Sequence, residues 1–135
     1  MGNEIAILQN KLDSLEQEIH NKKYILSVLE KKYNIYGCIV TKDCKTFILS
    51  KRISYDKELK SIMEFTKIFI RKLQEMSYPI KDVLFNYRSW RIGIQTITSN
   101  FSDIPLLFIV FIPDNCQSYR HAIQWSIEKM AEHHN

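Results

Sequence analysis

The fold of this chain is decided by the stretch Pro105-Leu-Leu-Phe-Ile-Val-Phe-Ile112, in which no side chain is polar. A strand that is apolar at every position has to be covered on both faces, so we expect it at the centre of a sheet. The stretch is too short to cross a bilayer as a helix, so no insertion into a membrane is expected. Pro113 stops the strand, and Asp114 or Asn115 is expected to cap a final helix.

The residues just before this strand predict two more strands. In Trp90–Thr98, apolar residues alternate with Arg, Gly and Gln, which is the period of a strand with one buried face. Asp82–Tyr87 is also predicted to be a strand, and Asn100–Asp103 has the composition of a turn. Three consecutive strands therefore precede the last helix.

Nearer the N-terminus, the sequence predicts a hairpin and a second helix. Tyr36–Val40 and Thr46–Ser50 are rich in β-branched and aromatic residues, and the polar segment Lys42–Lys45 joins them. Ser54 is a plausible N-cap for a helix that runs to about Met76, where the residue before Pro79 disfavours helix. The complete order is α-ββ-α-βββ-α, an α/β layered sandwich (α+β) with a five-stranded, mainly antiparallel sheet.

The apolar arc of the second helix is wider than packing against one sheet requires. One face at helical spacing is apolar, and further residues extend the arc to more than half of the circumference. A second subunit would explain the extra width, and cover by the N-terminal or C-terminal helix is the alternative. The residues expected on a dimer helix are Phe65, Ile68, Phe69 and Met76.

The first 33 residues predict one long helix with heptad spacing. With Ile5 at position a, Lys11–Glu16 and Glu18–Lys23 form g-to-e′ pairs of opposite charge, as in a parallel homodimer. Beyond Tyr24 the apolar stripe broadens, which favours packing on the chain's own domain. We therefore divide the chain into a heptad helix, residues 1–24, and a domain, residues 25–135. The predicted coiled-coil seam consists of Ile5, Leu8, Leu12, Leu15 and Ile19.

Size and charge restrict the class of protein. The chain has 135 residues, 19 basic and 15 acidic side chains and a net charge of +4. The basic residues are spread along the sequence, whereas nucleic-acid binders concentrate them on one face, so no nucleic-acid partner is expected. Three irregularly spaced cysteines favour free thiols and a cytoplasmic location.

No catalytic, cofactor or metal motif is present in the sequence. The cysteines and histidines have none of the spacings of a metal site, and the glycines are too far apart for a phosphate-binding loop. Cys116 is expected at the start of the last helix, without a histidine placed to act as its base. The segment around Arg88, Trp90 and Arg91 is a possible partner patch, or a hairpin turn with one anchoring tryptophan.

The order and texture of these elements resemble the roadblock/LC7 family and the related longin domains. The resemblance covers about residues 25–132 and is carried by the hairpin, the second helix, the Trp90–Thr98 strand and the passage Ile109-Val-Phe-Ile-Pro-Asp-Asn115. Family members commonly have Asp-Gly in the first hairpin, where this chain has Asp43-Cys44. The resemblance implies subunits that dimerise through the central helix and the third strand. It also implies a scaffold for a Ras-like small GTPase, a dynein motor or a membrane-trafficking assembly.

The sequence thus leads to two main functional hypotheses, while a third, an enzyme of unrecognised chemistry, is disfavoured because no catalytic constellation is present. The first is a non-enzymatic dimeric adaptor that pairs with itself or with a related roadblock/longin subunit, and whose further partner is a small GTPase or a trafficking or motor complex. The second is a GAF- or PAS-like domain that senses a small ligand. The single helix between the second and third strands counts against the second hypothesis, because those folds usually insert more helix there.

Overall fold

The computed structural model describes residues 2–98 and 105–132. The turn expected at Asn100–Asp103 lies outside the described residues. The helices are α1 (Gly2–Tyr33), α2 (Lys57–Glu75) and α3 (Tyr119–Glu132), and a single 3-10 turn occupies Lys51–Ser54. The strands are β1 (Tyr36–Thr41), β2 (Thr46–Leu49), β3 (Asp82–Tyr87), β4 (Trp90–Thr98) and β5 (Pro105–Pro113).

The five strands form one sheet in the order β2-β1-β5-β4-β3, and every neighbouring pair is antiparallel. The predicted fold class and element order are therefore confirmed. The segment from β2 through α2 to β3 crosses the sheet from one edge to the other. As a result α2 lies on one face of the sheet, and β3 is left as an edge strand.

Strand β5 lies at the centre of the sheet, as its apolar sequence predicts, and its residues from Leu106 to Ile112 are all buried. Alternate side chains enter two separate cores. Leu107, Ile109 and Phe111 join the core beneath α2. The intervening residues join a second core, beneath α1 and α3 on the opposite face. The domain is thus three layers thick, and α2 is the only one of the described helices on its side of the sheet.

Two expected helix starts are wrong by a few residues. Asp56 caps α2 by accepting a hydrogen bond from the Leu59 N–H at 3.1 Å, whereas the Ser54 hydroxyl donates to the Lys51 carbonyl within the 3-10 turn. The last helix begins at Tyr119, so Cys116 lies in the turn before it. Short polar residues are frequent both in turns and at helix N-caps. Their presence in the sequence therefore could not show which residue is the N-cap and which belongs to the preceding turn.

Four connections of the described chain use the left-handed backbone conformation without glycine, at Asn34, Cys44, Ser77 and Arg88. Asn34 and Ser77, with φ of 58° and 56°, end α1 and α2, and each is followed by an N–H that bonds back into the last helical turn. Cys44 in the first hairpin has φ of 64°. Glycine adopts this conformation most readily. Cys44 occupies the position at which members of the roadblock/LC7 family, which the sequence resembles, commonly have glycine.

Helix α1 approaches β1 closely because residue 37 is glycine. A β-carbon on Gly37 would lie 2.8 Å from Leu26 Cδ2 and 3.3 Å from Phe108 Cε1, and both of these side chains are buried. Such distances are shorter than van der Waals contact, so any larger residue would push the helix away from the sheet. Gly37 thereby fixes how closely the C-terminal half of α1 packs.

The N-terminal half of α1 extends past the domain. Residues 2–14 are all exposed, and the first buried side chain of the described helix is Glu18. The helix runs without a break through residue 24, where the sequence suggested a division. Glu18, expected at the edge of an interchain pair with Lys23, instead forms a buried 2.8 Å ion pair with Lys22 of the same chain.

Candidate functional site

The outer face of α2 carries exposed apolar side chains along its length. Phe65 is 36% exposed, Ile68 55% and Met76 72%. Helices α1 and α3 lie on the opposite side of the sheet, so neither of them covers this face. Of the two explanations for the wide apolar arc, cover by another helix of the same chain is therefore excluded for the described residues.

Aromatic contacts join this face of α2 to strand β3. The Phe65 ring stacks on Tyr87 with centroids 4.2 Å apart and an interplanar angle of 15°, and Phe69 lies 4.7 Å from Phe85. Tyr78, just after α2, is also exposed. We call these side chains together the α2–β3 surface, made of Phe65, Ile68, Phe69, Met76, Tyr78, Phe85 and Tyr87.

Strand β3 has a free edge beside this surface. It pairs with β4 on one side and is the last strand of the sheet on the other, from Asp82 to Tyr87. An unpaired edge presents backbone N–H and C=O groups that can bind another strand. The described edge has no proline between its ends, and its residues alternate between exposed and half-buried along the strand. Backbone pairing and apolar packing are thus available side by side.

The predicted coiled-coil seam is only partly free. Ile5, Leu8 and Leu12 are exposed on the projecting half of α1, whereas Leu15 and Ile19 are half-buried. Ile19 packs against the core beneath α1 and α3. About two heptads therefore present an apolar stripe to solvent, and the seam then continues into the domain core.

The expected partner patch is divided between the two faces of the sheet, because successive strand residues point in opposite directions. Trp90 packs on the α2 side, where its indole N–H donates to Glu58 Oε1 at 2.9 Å and its ring meets Tyr36 edge to face at 6.0 Å. Arg91 lies on the α3 side, with its guanidinium 4.5 Å from the Tyr119 ring centroid. Arg88 occupies the hairpin tip with φ of 57°. Trp90 is thus an anchor between β4 and the start of α2.

Two arginines converge on Tyr119 at the start of α3. Arg120 Nε donates to the Tyr119 hydroxyl at 3.0 Å, and Arg91 stacks over the same ring. The hydrogen bond from Arg120 is the main reason why the pKa of the Tyr119 phenol is lowered, and the positive charges of both arginines add to it. No sequence pattern pointed to this cluster, because Arg91 is distant along the chain from the other two residues.

A groove of about 550 Å³ runs beside this cluster, between α3 and the edge of the sheet. It opens there because α1 and α3 cover the β1, β2 and β5 side of this face and leave β3 without a helix above it. Leu84, on the groove wall, is half exposed. The sequence did not predict the groove, since the placement of the helix layer decides where it opens.

Two of the three thiols are buried and chemically quiet. Burial raises the pKa of the Cys38 thiol from 9.0 to about 12, and burial also raises the pKa of Cys44. Cys38 Sγ lies 3.5 Å from the Met63 sulfur. Cys116 is half-buried, with its sulfur 3.8 Å from the Tyr33 carbonyl oxygen. All three are free cysteines.

We expect maleimide to modify Cys116 first and Cys38 last in the folded chain at neutral pH. A pKa of about 12 lowers the thiolate fraction of Cys38 about a thousandfold relative to a thiol at 9.0. Intact-mass and peptide mass spectrometry against time would measure the order, with the chain in denaturant as control, where all three should react alike. Rapid labelling of Cys38 in the folded chain would contradict its burial. The same shift makes stability fall as pH rises from 9.0 towards about 12, because the unfolded thiol ionises first.

Neither a group of metal ligands nor a membrane-spanning helix is found in the described part of the chain. Within residues 2–98 and 105–132, no three His, Cys, Asp or Glu side chains are grouped so that they could hold a metal ion. None of the helices in that part of the chain combines the length and apolarity needed to cross a membrane.

Compared with protein-family models, with curated proteins and with solved structures, the chain gives no significant match.

Proposed function

We propose that this chain is a non-enzymatic adaptor that works as a dimer, with two copies joined through the α2–β3 surface. The observation that carries the proposal is the exposure of Phe65, Ile68 and Met76 next to a free strand edge. A contiguous apolar patch of this kind on a soluble domain marks a protein interface. The arrangement is also the one that the resemblance to roadblock and longin domains implies.

A second copy fits this surface because α2 is complementary to itself. In a two-fold dimer with antiparallel α2 helices crossing at Ile68, the residue four places before Ile68 faces the residue four places after it on the partner. This pairing sets Glu64 against Lys72, two opposite charges, and the two Ile68 side chains against each other. In the single chain, Glu64 and Lys72 are exposed and form ion pairs with neighbours on the same helix. Both can exchange these partners at little cost.

The free edge of β3 supports the same two-fold arrangement. Two β3 strands paired antiparallel would extend the two five-stranded sheets into one of ten strands, with backbone hydrogen bonds across the dimer axis. Phe85 and Tyr87 lie on the α2 side of β3, so strand pairing would bring the aromatic contacts of both copies together. Homodimer interfaces commonly combine such an apolar centre with directional hydrogen bonds.

The further partner that we propose for the dimer is a small GTPase of the Ras type, or a trafficking or motor assembly. This part of the proposal rests on the resemblance alone. A joined sheet with α2 helices on one side would offer a broad, rigid platform for such a protein. The projecting half of α1, with Ile5, Leu8 and Leu12 exposed, adds a separate surface for association.

Sedimentation velocity of the full chain tests the dimer. We expect a dimer at low micromolar concentration, and we expect it to persist when Ile5, Leu8 and Leu12 are all changed to Ser, because these residues lie outside the α2–β3 surface. A monomer at high micromolar concentration would overturn the proposal. If the original chain is a dimer and the variant with Ser at positions 5, 8 and 12 is a monomer, dimerisation occurs through α1 instead.

Pull-down with small GTPases loaded with GTP or with GDP tests the proposed partner. If the chain retains neither form, the proposal of a GTPase partner is wrong.

The alternative function, a domain that senses a small ligand, draws on one observation. The groove between α3 and β3 has the volume of a ligand site and lies on the face opposite to the α2–β3 surface. Its position leaves it open in the proposed dimer. A ligand in the groove would therefore not compete with the adaptor role.

A further inference from the structure

The groove between α3 and β3 has an apolar floor. Its volume of about 550 Å³ falls within the range of roughly 300–1,000 Å³ that is typical of small-molecule sites. The apolar side chains come from β3, β5 and α3, so one wall is strand and the other is helix. They include Leu84, Phe108, Val110, Ile123 and Ile127.

Gly93 keeps this floor open. A β-carbon at this position would lie 3.0 Å from Val110 Cγ2 and 3.7 Å from Leu84 Cδ1, so any larger side chain would fill the space between them. Glycine in the interior of a strand lowers strand stability and often marks a close approach by a ligand or backbone. Here the missing side chain gives the groove its depth.

One end of the groove is positive. Arg120 lines it directly, and Arg91 reaches the same place through its contact with the Tyr119 ring. Neither guanidinium belongs to any of the four ion pairs found among residues 2–98 and 105–132. In that part of the chain, Arg120 contacts the hydroxyl and ring of Tyr119, and Arg91 contacts the same ring and an amide oxygen of Asn86 at 3.4 Å.

The other end of the groove is negative. Asp82 and Glu128 line it, and Asp82 pairs with Gln95 in the sheet, four residues along β4 from Arg91. At the rise of an extended strand, the two ends are about 13 Å apart. An anionic group is therefore attracted to the arginine end and repelled from the other, which gives a bound anion with an apolar body a single orientation.

We propose that this groove binds a fatty acid of medium chain length, with its carboxylate between Arg91 and Arg120 and its alkyl chain along the floor from Gly93 towards Ile127. Guanidinium groups bind carboxylates through paired, charge-assisted hydrogen bonds, and neither arginine has a carboxylate partner among the described residues. The alkyl chain would cover the half-exposed Leu84. The site lies on the face of the sheet opposite to α2, so it is separate from the proposed dimer surface.

The test is direct binding of octanoate, decanoate and laurate to the full chain, below their micelle concentrations, by isothermal titration calorimetry. The alcohol and amine of the same chain length serve as matched probes for the head group. The variant Arg91→Gln/Arg120→Gln removes both cations, and Lys45→Gln/Arg88→Gln removes two exposed cations outside the groove as the control. Circular dichroism verifies that each variant is folded.

We expect saturable binding of one acid per chain, weakened at least about tenfold in Arg91→Gln/Arg120→Gln and changed less than about twofold in the control variant. The alcohol and amine should bind at least about tenfold more weakly than the acid. Absence of binding by all three acids would overturn the proposal, as would equal binding of the alcohol. Binding of a lysophosphatidate or an acidic peptide, but of no fatty acid, would overturn it as well. The same titration on Ile68→Asp should give the unchanged affinity, which separates this result from the fate of the proposed dimer.

Discussion

Ile68→Asp is expected to convert the proposed dimer into a folded monomer. Ile68 lies at the centre of the outer face of α2 and is 55% exposed, so an aspartate there remains hydrated in the single chain. In the dimer, two carboxylates would replace the apolar Ile68–Ile68 contact at the axis and would have to be desolvated there. Each copy is expected to lose about 1.5 kcal/mol or more, which raises the dimer dissociation constant at least about 100-fold.

Sedimentation equilibrium on Ile68→Asp and on a matched control would measure this change. Tyr24→Asp is the control, since Tyr24 is an aromatic residue that is 63% exposed on α1, outside the α2–β3 surface. It should leave the dissociation constant within about threefold of the original chain. Both variants should keep the helical circular dichroism and a cooperative unfolding transition. An Ile68→Asp chain that remains dimeric would place the interface elsewhere.

Glu18→Leu is expected to destabilise the fold by about 3 kcal/mol. The Glu18 and Lys22 side chains are both 2% exposed, so their ion pair is buried. Among the described residues, Glu18 accepts the hydrogen bond of the Lys22 ammonium group. In Glu18→Leu the Lys22 ammonium group stays buried without its carboxylate partner. The free energy of unfolding then falls by more than the intact ion pair contributes to it.

Urea denaturation gives the free energy of unfolding for this variant and for two controls. Glu18→Leu/Lys22→Met replaces the whole pair by apolar groups of similar volume and should return to within about 1 kcal/mol of the original chain. Glu75→Leu breaks the exposed Lys72–Glu75 pair and should change stability by less than about 0.5 kcal/mol. A Glu18→Leu effect as small as that of Glu75→Leu would mean that Lys22 reaches solvent.

The sequence was sufficient for the architecture because the strands differ in polarity. An all-apolar strand has to lie centrally, and β5 does. The alternation in β4 identified Ile92 and Ile94, which are buried on the α2 side, although Gly93 and Ile97 on the opposite face are buried as well. Helix starts were less predictable, because Ser54 and Asp56 are both good caps and the preceding 3-10 turn decides between them.

The candidate site was only partly predictable. The wide arc on α2 identified Phe65, Ile68 and Met76, all of which are exposed. Phe85 and Tyr87 were not identified, although the resemblance implied a role for the third strand, because residue pattern alone does not show that β3 is the edge strand beside α2. The division of Trp90 and Arg91 was available from strand alternation, which puts neighbours on opposite faces.

Helix α1 is unbroken from Gly2 to Tyr33, so its projecting N-terminal half forms a rigid arm. The packed C-terminal half determines the direction in which this arm points and the rotation about its own axis. Residues 2–17 reach about 24 Å beyond the first buried turn at the rise of an α-helix. The described helix contains no proline and no internal glycine, the residues at which helices usually kink, so the arm has no hinge.

Because each residue turns a helix by about 100°, the direction in which Ile5, Leu8 and Leu12 point is fixed relative to the sheet. In the proposed dimer the projecting halves of the two α1 helices would therefore each make the same fixed angle with the two-fold axis. Whatever binds the exposed stripe is then held at a defined distance and orientation from the platform, as on a rigid spacer rather than on a tether.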